Sequence, residues 1–256
     1  MKYKAKDGLL YNIRTANKND LLEIVKVHNA SAITTYQPHM EKYPVLKDIF
    51  SKNNLVKDWQ NYLDKSKDNN DLTSIVIEKI GVKNGTPYKQ IVGVAKAATL
   101  QGSYKIHMEN IIGKKIKADK LKKYANLQTI YIDPKHQGLG LGKGIMGYFA
   151  NQYSDMGCKY ALTETLSDYE VSPKFFHKVG GAKLLGEYTE NVSQFVVDNN
   201  GKNNDLPFKL WLMNDMDKMK ITCHLSKEKS LLVTRKHEKL NRYANMKLAL
   251  AGNSYE

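Results

Sequence analysis

The segment IYIDPKHQGLGLGKGIMGYF, residues 130–149, places four glycines at alternate positions where a predicted strand gives way to a predicted helix. They are Gly138, Gly140, Gly142 and Gly144. Glycine weakens helices and strands alike, so a cluster at this junction needs a separate reason. A ligand, or another part of the chain, that comes close to the backbone here would supply that reason.

The segment does not match two common phosphate-binding motifs. A Walker A loop, G-x-x-x-x-G-K-[ST], would need glycine at Gln137 and a hydroxyl side chain at Gly144. A dinucleotide-binding G-x-G-x-x-G fingerprint would need its third glycine at Lys143 or at Ile145, depending on the frame. Neither kind of nucleotide-binding loop is favoured.

The pattern around this segment alternates β-rich runs with helical ones. Apolar residues recur at helical spacing from about Leu141 to Met156, after a strand that stops at Pro134. Near the N-terminus, a short strand leads into a helix for which Asn19 or Asp20 can serve as the N-cap.

Further strands are predicted on both sides of these elements. The β-rich runs LTSIVIEKI and QIVGVAKAATL flank the dipeptide Asn84-Gly85, a hairpin turn signal. Downstream, KYALTETL and PFKLWLMN are typical of strands, and SPKFFHKV is typical of a short helix that ends at Gly180-Gly181. Strands before and after helices, with one hairpin, predict a mixed α/β domain.

Composition narrows the class of protein. The chain has 256 residues, 41% of them hydrophobic, which is enough for a sizeable core. The sequence has no apolar run of the roughly 20 residues that a membrane-spanning helix needs, and no apolar region typical of a signal peptide. Its two cysteines follow no metal-ligand spacing. A cytoplasmic protein is therefore expected. The net charge of +14 comes mostly from lysine side chains. A proteome that is rich in lysine is therefore a better explanation of this charge than a nucleic-acid partner.

A third motif does fit the glycine-rich segment. Residues Gln137–Gly142 match [QR]-x-x-G-x-[GA], and the chain resembles the GNAT N-acetyltransferase superfamily from about Leu10 to Asn214. The resemblance also rests on SPKFFHKVGGAKLLGEY, which is similar to the superfamily pattern A-x-x-F-Y-x-K-x-G-F. In that superfamily the motif forms the acyl-CoA pyrophosphate loop.

The resemblance implies a fold and a division of the chain. A mostly antiparallel central sheet, flanked by helices, contains one splayed parallel strand pair, here NLQTIYI and KYALTET. The acetyltransferase domain is expected over residues 1–214, with a lysine-rich insertion at about 102–125. A basic C-terminal extension, residues 215–256, is expected to pack on the same domain.

The resemblance also implies acetyl-CoA as cosubstrate and no metal. Consecutive backbone N–H groups at a helix N-terminus attract a pyrophosphate where no Cβ blocks its approach. Backbone amides on the preceding strand would hold the pantetheine arm. The expected cofactor-binding residues are Tyr131, Ile132, Gln137, Gly138, Leu139, Gly140, Leu141, Gly142 and Lys143.

The implied reaction is direct attack of a primary amine on the thioester, without an acyl-enzyme. The superfamily's usual acid, a tyrosine, aligns with Phe176, which has no proton to give. Tyr169 is the first candidate to replace it, with Tyr131 or Tyr153 as alternatives. Glu164, on the strand after the loop, is the candidate base; burial would raise the pKa of its carboxyl group.

The acceptor is left open. A small-molecule or peptide amine is favoured over an aminoacyl-tRNA, because the lysine-rich insertion lacks the arginines and interleaved aromatics of an RNA-binding face. Because of Phe176, a catalytically silent acyl-CoA-binding module remains the alternative. The expected partners include a possible second copy of the chain, as a homodimer, and no membrane. The lone histidines are expected to pack in the core or to face solvent; they are His28, His107 and His136.

Overall fold

Eight strands form one sheet in the computed structural model, which describes residues 1–83, 86–100, 102–193, 204–214, 216–217 and 219–220. The strands are β1 (Lys2–Lys4), β2 (Leu10–Thr15), β3 (Leu72–Lys83), β4 (Thr86–Thr99), β5 (Tyr124–Ile132), β6 (Tyr160–Leu166), β7 (Lys183–Asn191) and β8 (Asp205–Met213). The predicted turn at Asn84-Gly85 and almost all of the predicted C-terminal extension lie outside the described residues.

Seven α-helices accompany the sheet within the described residues. They are α1 (Leu21–Tyr36), α2 (Val45–Ile49), α3 (Lys52–Lys67), α4 (Gly102–Ile112), α5 (Ala118–Leu121), α6 (Leu141–Asp155) and α7 (Val171–Gly180). The lysine-rich segment at about 102–125 thus forms two helices, α4 and α5, before the chain enters β5. The predicted helix from Leu141 ends within one residue of its expected end.

The strand order is β1-β2-β3-β4-β5-β6-β8-β7, and β5 and β6 are the one parallel pair among the described strands. All other neighbours are antiparallel. The predicted mixed α/β fold, with a mostly antiparallel sheet and a parallel pair, is therefore confirmed. A parallel pair needs a crossover, and α6 provides it between β5 and β6.

Helices cover both faces of the sheet, and strand alternation divides the core between them. On β3, Ile75 and Ile77 belong to the cluster that packs against α6, whereas Val76 belongs to the cluster that packs against α1 and α3. All three side chains are fully buried. Because successive side chains point to opposite faces, a continuous apolar run on a central strand indicates burial on both sides.

The start of α1 differs from the sequence prediction. The capping side chain is that of Asn17, which accepts the Asn19 N–H at 2.9 Å and begins a 3₁₀ turn, Lys18–Asp20. Asp20 makes no side-chain cap to α1. The carboxylate of Asp20 is instead bound by Arg14 on β2, at 2.7 Å from each oxygen.

Arg14 also binds the carboxylate of Glu78 on β3, so one guanidinium joins two nearly buried acids. Burial alone would raise the pKa of both Asp20 and Glu78, but the Arg14 guanidinium holds the pKa of each below its ordinary value. Carboxyl groups with a lowered pKa stabilise the folded state above their unfolded-state pKa, and this contribution is lost as the pH falls.

We predict that Arg14→Met lowers the free energy of unfolding by about 3 kcal/mol or more at pH 7, because it leaves two buried carboxylates without their cation. The difference from the native chain should shrink below about pH 4, where the carboxylates become protonated. Urea unfolding at several pH values measures both effects.

The matched control is Lys18→Met, which removes a surface partner of Asp64. Both side chains of that pair are largely exposed, so the unfolding midpoint should not change measurably. Equal loss of stability in the two variants would contradict the assigned role of Arg14.

Candidate active site

A cleft opens where β5 and β6 separate. The two strands are paired only from Tyr124↔Tyr160 to Leu127↔Thr163, although β5 continues to Ile132 and β6 to Leu166. At the last paired position, the Thr163 hydroxyl donates to the Leu127 carbonyl at 3.0 Å. Beyond this point a cleft of about 510 Å³ lies between the strands.

A bulge in β5 lies at the inner end of the cleft. The register with β4 runs from Ala97↔Leu127 to Lys96↔Thr129, so Gln128 has no partner on β4. Gln128 and Thr129 both line the cleft. A bulge turns backbone groups out of the ladder, and bulges often occur beside functional sites.

The glycine-rich loop closes one end of the cleft. Gly138 and Gly140 have φ angles of 76° and 84°, a left-handed conformation that favours glycine. Gly140 is the N-cap of α6 and provides no side-chain cap, so the first-turn N–H groups of this helix have no acceptor within it. These groups make the loop end of the cleft suitable for an anion.

The N-terminal strand region fixes this loop. The Tyr3 hydroxyl donates to the Gly140 carbonyl at 2.8 Å, and the Lys6 N–H donates to the Leu139 carbonyl at 3.0 Å. From the other side, the Gln137 amide donates to the Ile132 carbonyl at 3.1 Å. The loop therefore has a defined shape before any ligand arrives.

The other two glycines permit close packing, although Gly142 also lines the cleft. A Cβ at Gly142 would lie 3.1 Å from the Phe175 ring on α7, and a Cβ at Gly144 would lie 2.9 Å from Ile13 Cδ1. Gly144 lies outside the acyl-CoA motif. A glycine is needed there because α6 comes close to β2. Only part of the alternate-glycine pattern thus concerns the cleft.

The structure places most of the predicted cofactor-binding residues along one cleft. Eight of the nine line it: Tyr131, Ile132, Gln137, Gly138, Gly140, Leu141, Gly142 and Lys143. Leu139 does not; its side chain packs against the core cluster under α6. Three lysines line the cleft, namely Lys6, Lys143 and Lys178, and they add positive charge.

Glu164 lies on β6 and lines the same cleft. Its Oε1 accepts the Tyr104 hydroxyl at 2.7 Å, and its Oε2 accepts the Tyr188 hydroxyl. Burial raises the pKa of this carboxyl group to about 7, and the two hydroxyl donors partly oppose that rise. Its neighbours Thr163 and Thr165 make separate hydrogen bonds, to Leu127 and from Trp211.

Tyrosines surround the end of the cleft that holds Glu164. Tyr169 lines the cleft, and its ring centroid is 5.6 Å from that of Tyr36 on α1. Tyr131, on β5, stacks on His28 at 4.3 Å. Burial raises the pKa of Tyr36 to about 12 and raises the pKa of Tyr131 well above its ordinary value, so both hydroxyls stay protonated near neutral pH.

Two aromatic residues named in the sequence analysis, Tyr153 and Phe176, lie in different environments. Tyr153 is fully buried under the sheet, donates to the Asp71 carbonyl at 3.3 Å and does not line the cleft, so the suggestion that it supplies the acid is wrong. Phe176 does line the cleft, but it is only 3% exposed and belongs to the core under α6.

The lone histidines occupy three environments. His28 is buried and accepts the Trp59 indole N–H at 2.8 Å, which is the expected packing role. His136 lines the cleft beside the loop. His107 stacks on Tyr188 at 4.0 Å and therefore lies next to a partner of Glu164.

The lysines of the insertion lie away from the cleft. The Lys123 carbonyl accepts the N–H groups of Lys159 and Tyr160, just before β5 and β6 begin. The glycine-rich loop follows the opposite end of β5. None of six lysines in this segment lines the cleft: Lys114, Lys115, Lys117, Lys120, Lys122 and Lys123.

Several cleft residues were not found from the sequence. Ser31 and Thr35 lie one turn apart on α1 and line the cleft with Tyr36. Their i, i+4 spacing is a polar interruption that the sequence does show. Tyr104 and Tyr188 have no such signal, since they reach Glu164 from positions 60 and 24 residues away in the chain.

Comparison with known proteins identifies the family. A sequence model of the Acetyltransferase (GNAT) family matches residues 41–181, more than half of the chain. The chain belongs to the GNAT acetyltransferase family. No curated protein matches the chain significantly.

Solved structures of N-acetyltransferases are among those that the chain matches. The PaiA N-acetyltransferase from Thermoplasma acidophilum, in complex with coenzyme A, is 16% identical, with 78% of this chain and 97% of that chain covered and a TM-score of 0.44. An N-acetyltransferase from Staphylococcus aureus is 18% identical, with coverage of 78% and 96% and a TM-score of 0.45. A ribosomal-protein-alanine N-acetyltransferase from Brucella melitensis is 14% identical, with coverage of 78% and 98% and a TM-score of 0.46.

Two features are absent from the described residues of this GNAT chain. Among them, no helix combines the length and the apolar character that crossing a membrane would require. The same residues contain no cluster of three or more His, Cys, Asp or Glu side chains arranged to hold a metal ion.

We predict that the Glu164 carboxyl group titrates near pH 7, because it is buried. A raised pKa stabilises the folded state fully below the unfolded-state value of about 4.5, and this contribution is lost as the pH rises through 7. The native chain should therefore lose up to about 3 kcal/mol of unfolding free energy relative to Glu164→Gln between these pH values. Urea unfolding of both proteins at pH 4, 6 and 8 measures it; parallel pH profiles would contradict the assignment.

Proposed function

We propose that this protein transfers an acetyl group from acetyl-CoA to a primary amine, by direct attack within a ternary complex. One observation carries the proposal: a single cleft joins the glycine-rich helix N-terminus to a half-buried carboxylate with a raised pKa. The proposal assigns the whole reaction to residues 1–214.

The loop end of the cleft suits the pyrophosphate of acetyl-CoA. The first-turn N–H groups of α6 and the cleft-lining Lys143 supply donors and positive charge. Gly138 lines the cleft, and a Cβ there would meet no atom within 4 Å, so a larger side chain fits at this position of the loop. Tyr131 and Ile132, on the unpaired end of β5, are proposed to hold the pantetheine arm through their backbone.

The other end suits deprotonation of an amine. The amine nitrogen forms a bond to the thioester carbonyl carbon, the carbon–sulfur bond breaks, and the nitrogen gives up one proton. We assign that proton to Glu164, directly or through one water molecule, because a general base acts best with a pKa near the working pH. Tyr169 is assigned to protonate the leaving thiolate, a role that Phe176 cannot fill.

The surroundings of the cleft favour a small or peptidic amine as acceptor. The lining residues beside Glu164 are tyrosines and small hydroxyl side chains, and the six lysines of the insertion are elsewhere. An aminoacyl-tRNA would need cations near the acceptor end for its phosphates. Acetyl-CoA binding without turnover across a broad panel of amines would instead favour the silent module that Phe176 suggests.

The loop assignment is tested with Gly138→Asp and Gly138→Asn. Both side chains fit the open space and tolerate a left-handed backbone, so the pair differs chiefly in charge. We predict that Gly138→Asp weakens acetyl-CoA binding at least tenfold relative to Gly138→Asn in calorimetry, because it adds a negative charge to the loop that is proposed to bind the pyrophosphate.

Gly8 provides the matched control. It also has a positive φ angle and open space around its Cβ position, but it does not line the cleft. Gly8→Asp should bind acetyl-CoA as the native chain does. Equal affinity of Gly138→Asp and Gly138→Asn for acetyl-CoA would contradict the assignment of the pyrophosphate site to this loop.

The base assignment is tested by the pH dependence of thiol release. With an accepted amine, kcat/KM of the native chain should rise with pH and level off above about pH 7, as Glu164 loses its proton. Glu164→Gln should lower kcat/KM about 10²-fold or more and remove this limb of the profile. A variant with unchanged pH dependence would show that another group accepts the proton.

A further inference from the structure

The helix α4 of the lysine-rich insertion packs closely against the face of the sheet that carries Glu164. A Cβ at Gly186 on β7 would lie 2.7 Å from Ile111 Cγ2 on α4, so only glycine permits this approach. Tyr104, His107 and Ile111 recur at helical spacing on the packed side of α4. The insertion therefore brings one particular helix face to the site.

The result is that each oxygen of Glu164 accepts a hydrogen bond from a different tyrosine. Tyr104 reaches Oε1 from α4 at 2.7 Å, and Tyr188 reaches Oε2 from β7. No Lys or Arg side chain forms an ion pair with Glu164 among the described residues. A carboxylate with one hydroxyl donor on each oxygen has a fixed orientation, and the two donors favour its ionised form.

We propose that Tyr104 and Tyr188 are positioning residues that orient the Glu164 carboxylate toward the acceptor amine, and that the insertion is part of the active site because it supplies Tyr104. This inference rests on the proposed function, in which Glu164 is the base. It assigns a task to a segment that the glycine-loop motif does not include.

Burial and hydrogen bonding have opposite effects on the protonation of the Glu164 carboxyl group, which explains why two hydroxyl donors are needed. Burial favours the protonated acid, which cannot accept a proton from the amine, whereas hydroxyl donors favour the carboxylate. The charged and titratable groups that surround this site come from three elements: Tyr36 on α1, Tyr104 and His107 on α4, and Tyr188 and Glu190 on β7. Of these, Glu190 acts with burial to raise the pKa of Glu164.

His107 and Asn126 lie beside the two tyrosines. The His107 ring stacks on Tyr188 at 4.0 Å, and its Nε2 lies 3.7 Å from Glu190 Oε1. Asn126, on β5 beside Tyr104, is 1% exposed and has a buried Oδ1 without a hydrogen-bond partner among the described residues. Both tyrosines are therefore fixed by packing as well as by their bonds to Glu164.

The test compares Tyr104→Phe and Tyr188→Phe with Tyr124→Phe. Each change removes one hydroxyl and keeps the ring, and Tyr124 belongs to the same apolar cluster as Tyr104 without a hydrogen bond to Glu164. NMR titration of the Glu164 side-chain carbon gives the midpoint without any need for turnover. We expect the midpoint to rise by about one pH unit in Tyr104→Phe and in Tyr188→Phe, and to stay in place in Tyr124→Phe.

Kinetics then separate positioning from simple packing. In Tyr104→Phe, kcat/KM should fall about tenfold at pH 6 but much less at pH 9, where the carboxyl group has lost its proton in either protein. Adding Tyr104→Phe to Glu164→Gln should cause no further loss. An unmoved titration midpoint, or a further loss when Tyr104→Phe is added to Glu164→Gln, would overturn the proposal.

The two readouts also distinguish this inference from the proposed function. If the midpoint moves but no amine is acetylated, the hydrogen-bonded unit exists and the proposed function fails. If an amine is acetylated and the midpoint does not move, the proposed function stands and the positioning role fails.

Discussion

The loss of pairing between two parallel strands is the constraint on which the site depends. After Leu127 and Thr163, β5 and β6 no longer share hydrogen bonds, and their free ends border a cleft. Unpaired backbone groups in the middle of a sheet are costly unless a ligand or water satisfies them. A ligand that enters between the strands would restore those partners, which is the physical reason that we place the acyl arm there.

The cleft has opposite electrical character at its two ends. The helix N-terminus, Lys6 and Lys143 lie at the loop end, whereas a carboxylate and several tyrosine hydroxyls lie at the other. A polyphosphate and the amino group of an acceptor would therefore be favoured at different ends of one cleft. This separation would bring the two proposed substrates together with their reacting atoms between them, without a covalent intermediate on the protein.

The sequence predicted the elements whose cause is local. The helix from Leu141 and the glycine loop before it follow from periodicity and from a short motif, and the mixed sheet follows from the family resemblance. Contacts between distant segments were not predictable. Asp20 looked like a helix cap, but Arg14 on a neighbouring strand binds it. Tyr104 likewise reaches Glu164 only because α4 folds back onto β7, next to Gly186.

The central claim is that an acetyl group passes from acetyl-CoA to an amine nitrogen within this cleft. Its most direct test uses acetyl-CoA labelled with ¹³C at the carbonyl carbon, incubated with the native chain and a panel of amines and followed by NMR. The account predicts that the label appears as an amide carbonyl on one class of amine, and that this signal is lost in Glu164→Gln at neutral pH. A label that stays on the thioester with every amine, or that appears on the protein itself, would contradict it.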